Sequence, residues 1–279
     1  MSNSIKNILI PTDFSKCATN AMNFALELAA RTKANVQVVH VVYPNEGVDN
    51  NVYSAIWIDE YFKQRKNDLG RWVNRFKQNA AFKDIPVQYD CEIGFPVQTV
   101  KQIVVESKID LVVMGTTGIS GMTSSLLGST AAGVVSSVEI PVMVVPAKAD
   151  FLSHADYVLA TDYEMHPNKH SMEVLKTVLK VQHAGLHILH VLNKPGEEPD
   201  KKKEQAFERH LEGLAYQFHY LHDPSITQAI NNYIEATQAR GLVTVSHHRS
   251  FLQKIFFQSK SRLLVQKIKV PVLVLHDKD

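Results

Sequence analysis

Ile8-Leu9-Ile10-Pro11-Thr12-Asp13-Phe14 is echoed by Tyr157-Val158-Leu159-Ala160-Thr161-Asp162-Tyr163, an apolar run closed each time by Thr-Asp and an aromatic residue. Working outward, Val38-Val39-His40-Val41-Val42 returns as Ile188-Leu189-His190-Val191-Leu192, and both matches keep an offset of 149 to 150 residues. The closing runs Pro141-Val142-Met143-Val144-Val145 and Pro271-Val272-Leu273-Val274-Leu275 match at an offset of 130. The chain is therefore two copies of one unit, the second shorter by about 20 residues, with the loss between its second and fourth strands.

Within each copy, short β-branched runs alternate with segments of helical period, the pattern of parallel strands joined by right-handed helical crossovers. The first copy predicts strands near 6–12, 36–42, 87–93, 110–115 and 141–145, and helices near 17–32, 54–80, 96–107 and 127–137. The second predicts strands near 157–161, 186–192, 214–220, 241–246 and 271–275. Leu111-Val112-Val113-Met114-Gly115 is the unbroken apolar run that a strand covered on both faces requires. The expected fold is α/β: two tandem open parallel five-stranded sheets with helices on both faces, Rossmann-like, in strand order 3-2-1-4-5. The expected domains are 1–147 and 154–279, jointed within Ala147 to Asp156.

Composition narrows the partners. The chain has 279 residues, 45% hydrophobic and 21% charged, as a folded globular protein does. Lys+Arg 30 against Asp+Glu 28 leaves no basic footprint for nucleic acid. The apolar runs are far shorter than the roughly 20 residues that span a bilayer. Met1 to Asn7 lacks the apolar stretch of a secretory signal, so the expectation is a cytoplasmic protein without membrane contact. Cys17 and Cys91 form no Cys-x-x-Cys and read as ordinary thiols.

The chemistry-bearing stretch is Gly115-Thr116-Thr117-Gly118-Ile119-Ser120-Gly121, running on to Gly128-Ser129-Thr130 between the fourth strand and fourth helix. Glycines admit close approach of a ligand to the backbone, and unpaired amides at a helix start make an anion site. The same residues also serve as a plain helix cap and loop turns. In an open parallel sheet the first and fourth strands flank the switch point, so Pro11-Thr12-Asp13 faces the crevice that Met114 and Gly115 border. Asp13 reads either as an acceptor for a ribose or base edge or as the cap of the first helix.

On these residues the chain resembles the universal stress protein family. Gly115-x2-Gly118-x9-Gly128-Ser129 is similar to its ATP-binding signature, and Pro11-Thr12-Asp13, His40-Val41 and the Pro-Val-x-Val-Val strand fall in the family's order. The resemblance spans residues 5–146 strongly and 156–276 weakly. It implies an adenine-nucleotide α-hydrolase-like fold that binds ATP, or ADP or AMP, with Mg2+. It implies that Asp13 and the Val41 backbone contact the adenosine, while Gly115, Gly118, Gly128, Ser129 and Thr130 hold the phosphates. It also implies an intramolecular pseudo-dimer through the last strands of the two copies, with a further homodimer left open. One departure stands out: residues 116–130 contain no Lys or Arg, where family members often place a basic residue. A Walker loop and a Gly-x-Gly-x-x-Gly dinucleotide fingerprint are both absent.

In the second copy Val245, His248 and Gln258 stand where Gly115, Gly118 and Gly128 stand in the first, so no ATP site is expected there. His247, His248, Arg249, Lys254 and Lys260 read as a solvated basic face or as the seat of another anion or partner. Twelve of the 13 histidines follow residue 150, without a His-Glu-x-x-His or other metal-ligand spacing. His190 and His276 read as hydrogen-bonded core residues. No nucleophile–base constellation is visible, so no catalytic and no metal residues are assigned. The expected function is a nucleotide-binding stress or signalling module with an unidentified protein partner. The alternatives are a slow Mg-dependent ATP hydrolase and an interaction scaffold with a vestigial pocket.

Overall fold

The structure is a computed structural model that describes residues 4–44, 54–116, 128–164, 166–194, 196–246 and 269–277, without the side chains of 54–58. The first half runs β1 (Asn7–Pro11), α1 (Lys16–Thr32), β2 (Asn35–Val42), α2 (Ser54–Lys77), β3 (Val87–Ile93), α3 (Pro96–Glu106), β4 (Leu111–Gly115), α4 (Ser129–Ser137) and β5 (Val142–Val145). The second runs β6 (Tyr157–Ala160), α5 (Lys169–Gln182), β7 (Leu186–Leu192), α6 (Lys201–Glu208), β8 (Tyr216–His222), α7 (Ile226–Thr237), β9 (Gly241–Ser246) and β10 (Val272–His276).

Each half is an open parallel α/β sheet in the order 3-2-1-4-5, and the two are edges of one continuous sheet, β3-β2-β1-β4-β5-β10-β9-β6-β7-β8. The seam is antiparallel, with Val142, Met143 and Val144 of β5 opposite Val274, Leu273 and Val272 of β10. From β1 the chain steps outward to β2 and β3, then returns across to β4 and β5. Right-handed crossovers therefore put α1 and α2 on one face and α3 and α4 on the other. With both faces covered, the central strands are apolar throughout: Leu111, Val112, Val113 and Val142 to Val145 are all fully buried. Each such side chain contributes about 1.5–3 kcal/mol relative to an exposed one.

Local chemistry sets the ends of the helices. Ser15 caps α1 by accepting from the Ala18 amide, and Lys33 closes it in the left-handed region at φ 57°. The helical run expected to reach residue 80 stops at Lys77, because the Asn79 side chain captures the Ala81 amide and starts a separate 3-10 turn at Ala80–Phe82. The missing residues of the second half fall between its second and third strands: α2 has 24 residues and its counterpart α6 has 8.

The halves also meet through helices. Arg31 of α1 donates to the Val181 carbonyl at the end of α5 (3.0 Å) and lies over the Phe151 ring (5.0 Å). The Asn20 amide reaches the carbonyls of Pro146 (2.7 Å) and Ala149 (2.6 Å), pinning the connection between the halves. One buried apolar cluster runs through both. No helix among the described residues is long and apolar enough to cross a membrane.

Candidate functional site at the switch point

The crevice begins where β1 and β4 part. They are in register at Ile8–Leu111 and Leu9–Val112, whereas β1 follows β2 as far as Pro11–Val39. The Thr12 amide still donates to the Val39 carbonyl (2.8 Å), and the chain then turns sharply. Thr12 Oγ1 accepts from the Phe14 amide (3.1 Å) and Asp13 Oδ1 from the Ser15 amide (3.0 Å). These bonds hold Phe14 at φ 64°, a left-handed conformation that costs a bulky residue. Packing offsets that cost: the Phe14 ring lies 4.5 Å from His40 and 5.9 Å from Trp72, centroid to centroid.

His40 Nδ1 stands 2.8 Å from the Thr12 carbonyl; a carbonyl only accepts, so this nitrogen carries the proton. The bond ties the end of β2 to the turn that follows β1. Pro11 and Val41 are half-buried and Thr12 is buried.

Across the crevice, Met114 is buried and Gly115 ends β4. A Cβ added at Gly115 would come within 2.7 Å of Cys17 Cβ and 2.8 Å of the Cys17 carbonyl carbon. Here the glycine is required because α1 starts hard against the end of β4. The Gly128 amide donates to the Thr116 carbonyl (2.7 Å), so the two ends of the intervening loop are tied together. The Thr116 amide in turn donates to the Val145 carbonyl (3.2 Å). Gly128 is the N-cap of α4 at φ −64°; it offers no side-chain cap, and the first turn holds no acidic residue. Ser129 is exposed and Thr130 half-buried at that helix start. Gly118 lies outside the described residues.

The structure thus places Pro11, Thr12 and Asp13 at the carboxyl end of β1, Val41 in the last pleat of β2, Met114 and Gly115 at the end of β4, and Gly128, Ser129 and Thr130 at the start of α4. Sequence reasoning missed Thr116, whose carbonyl ties the loop; no residue-type signal marks a main-chain role. It also missed a basic groove beside Phe14 and Trp72, a cavity of about 580 Å3 lined by Arg65, Asp68, Arg71 and Arg75. The arginines recur along one side of α2, a pattern visible in the sequence and obscured by the helix's other charges. Among the described residues no group of three or more His, Cys, Asp or Glu is placed to hold a metal ion. Cys91 is buried, and burial pushes its thiol up to about 11, so it is inert at neutral pH.

The second half repeats the turn. Thr161 Oγ1 accepts from the Tyr163 amide (2.9 Å), Asp162 Oδ1 from the Glu164 amide (3.1 Å), and His190 Nδ1 meets the Thr161 carbonyl (2.8 Å). Tyr163 sits at φ 63° and stacks on His190 at 4.7 Å. The other wall differs: buried Val245 replaces Gly115, and α5 starts seven residues after Asp162, whereas α1 starts three after Asp13. The segment with His247, His248, Arg249, Lys254 and Lys260 lies outside the described residues, as does Gln258.

A duplicated, doubly wound α/β chain, its strand order reversing beside β1 and again beside β6, is the class that the fold defines. The universal stress protein family profile matches residues 4–146. A universal stress protein of Methanocaldococcus jannaschii is 31% identical over 150 residues, 51% of this chain and 83% of that protein. A universal stress protein structure from Archaeoglobus fulgidus DSM 4304 covers 98% of each chain at TM-score 0.69 with 21% identity. A structure of a putative universal stress protein from Pseudomonas aeruginosa UCBPP-PA14 covers 99% of this chain and 95% of its own at TM-score 0.60 with 13% identity. The chain belongs to the universal stress protein family.

Proposed function

We propose that the chain is a stress-response or signalling binding module that holds one adenine nucleotide in its first half and none in its second. The observation that carries this reading is the tie between the Gly128 amide and the Thr116 carbonyl, which fixes the acid-free start of α4 beside the end of β4. A glycine-capped helix start suits phosphate, since its first-turn amides and dipole favour an anion and no side chain competes for them. Gly115, Gly118, Gly128, Ser129 and Thr130 would hold the phosphates, with Asp13 and the Val41 backbone on the adenosine and Pro11, Thr12 and Met114 lining its side. Mg2+ would be bound chiefly by phosphate oxygens and water, as is usual for an ion that gives up its hydration reluctantly. Buried Val245 in place of Gly115 supports leaving the second half without the nucleotide. On this reading the protein works in the cytoplasm, its halves form a pseudo-dimer across β5 and β10, and the bound nucleotide biases contacts with a protein partner.

Calorimetric titration of the nucleotide-stripped protein with ATP, ADP and AMP, each with and without Mg2+, tests the proposal. One site per chain is expected, lost in Gly128→Val, whose φ of −64° a branched residue tolerates so that the fold survives. Absence of binding by all three nucleotides, or unchanged affinity in that variant, rejects it.

A further inference from the structure

The long helix of the first half has one side whose charges are incompletely matched among the described residues. α2 is 24 residues long where its counterpart α6 has 8, and α6 holds no arginine. Along α2, Tyr61, Arg65, Asp68, Trp72 and Arg75 recur at intervals of three and four residues and so share one side of the helix. That side, with Arg71, meets Phe14 ahead of α1 to form the groove of about 580 Å3. Three guanidinium groups against the Asp68 carboxylate leave a net charge of +2 in it. The chain as a whole is close to balance, with Lys+Arg 30 against Asp+Glu 28.

The guanidinium groups are unequally satisfied. Arg71 Nη2 donates to Asp68 Oδ1 (2.5 Å), whereas Arg65 Nη1 stands 3.6 Å from Asp68 Oδ2, outside hydrogen-bond reach. The Arg65 side chain is only 28% exposed, and its guanidinium carbon lies 5.0 Å from the centre of the Tyr61 ring. Its Nε is buried without an acceptor among the described residues. A guanidinium offers five N–H donors in one plane, so an under-satisfied one held partly out of water favours an incoming carboxylate. Arg75 is exposed and has no ion pair among the described residues. The aromatic floor is held by packing: buried Trp72 meets the Phe14 ring edge-on at 5.9 Å and the Phe76 ring at 4.8 Å.

We propose that this groove docks an extended acidic segment of a protein partner, with one carboxylate on Arg65, a second on Arg75 and an apolar side chain between them against Phe14. Length and charge select this occupant. Arg65 and Arg75 are ten residues apart on α2, about 15 Å along its axis. The first and fifth residues of an extended peptide are about 13 Å apart, so two acids at that spacing reach both arginines. A phosphate needs its donors converging on one point, and here Asp68 stands between the two under-satisfied groups. Acidic-motif recognition by arginines is a recurring mode of peptide binding.

The test is fluorescence polarisation of a labelled peptide, Glu-Ala-Leu-Ala-Glu, titrated with the full chain at low salt beside its neutral analogue Gln-Ala-Leu-Ala-Gln. Saturable binding of the acidic peptide is expected below millimolar protein, with Kd at least tenfold higher for the neutral peptide and for the acidic peptide in Arg65→Gln/Arg75→Gln. Lys101→Gln/Lys148→Gln removes the same charge from exposed positions elsewhere and should leave Kd unchanged. Should the double arginine variant fail to fold, Arg75→Glu alters an exposed position alone, and at least a fivefold loss is expected from it. The proposal is overturned if the acidic peptide does not bind at millimolar concentration or if the groove variants bind it as the parent does. It is equally overturned if the lysine variant loses as much, the mark of non-specific attraction, or if inorganic phosphate at equal concentration displaces the peptide, the mark of a phosphate site. Gly128→Val should bind the peptide like the parent, so failure of the groove and failure of the nucleotide site are separate outcomes.

Discussion

Two residues of the crevice make opposite demands when substituted. Gly115→Ala puts a carbon against the backbone of Cys17, which cannot step aside without moving α1. Such overpacking costs about 1–3 kcal/mol, so a melting temperature several degrees lower is expected by calorimetry. Asp13→Asn retains an oxygen for the Ser15 amide and should leave melting nearly unchanged. If Asp13 contacts the nucleoside, the loss appears in nucleotide affinity instead; equal ATP affinity in parent and Asp13→Asn would remove it from the site. The sequence made the turn at Asp13 legible, because Thr-Asp-aromatic stands out twice. The reason for Gly115 was not legible: it lies in the distance between β4 and the first turn of α1, a contact between residues 98 positions apart.

At the scale of elements, the strands were readable because sheets covered on both faces leave almost no polar residue inside them. The length of α2 was misjudged by one turn, since an asparagine bond two residues on is a local event that periodicity does not report. Nor did the repeat alone place the shortening between β7 and β8, because matching strands bound a deletion without saying which connection carries it. The seam follows from element chemistry: β5 is wholly apolar, β10 is apolar up to its last residue, His276, and both would otherwise be open edges. Met143→Asp places a carboxylate opposite Leu273 in a fully buried position. Destabilisation of about 3 kcal/mol or more is expected, read as a lower urea midpoint.

For the molecule as a whole, acid should act first on the second half. Burial lowers His276 from 6.5 to about 4, and its Nε2 has no hydrogen-bond partner among the described residues. His219 is lowered as well, by burial and then by the charge of His187. The unfolded chain takes up the proton of residue 276 near pH 6.5 while the folded one resists until about pH 4. Stability is therefore complete above pH 6.5 and falls as pH drops toward 4, by about 3 kcal/mol in all for this residue. Urea unfolding at pH 7 and pH 5 measures the drop, and His276→Leu should flatten it; an equally steep dependence in that variant would assign the effect elsewhere.

The antiparallel seam has one more consequence. Each β5 finds its β10 on the same polypeptide, so the effective concentration of the pairing partner is set by the length of the tether and not by how much protein the cell makes. A pair assembled from separate chains would loosen on dilution. This one should unfold at a midpoint independent of protein concentration, and a second copy obliged only to present its edge strand was at liberty to change its crevice.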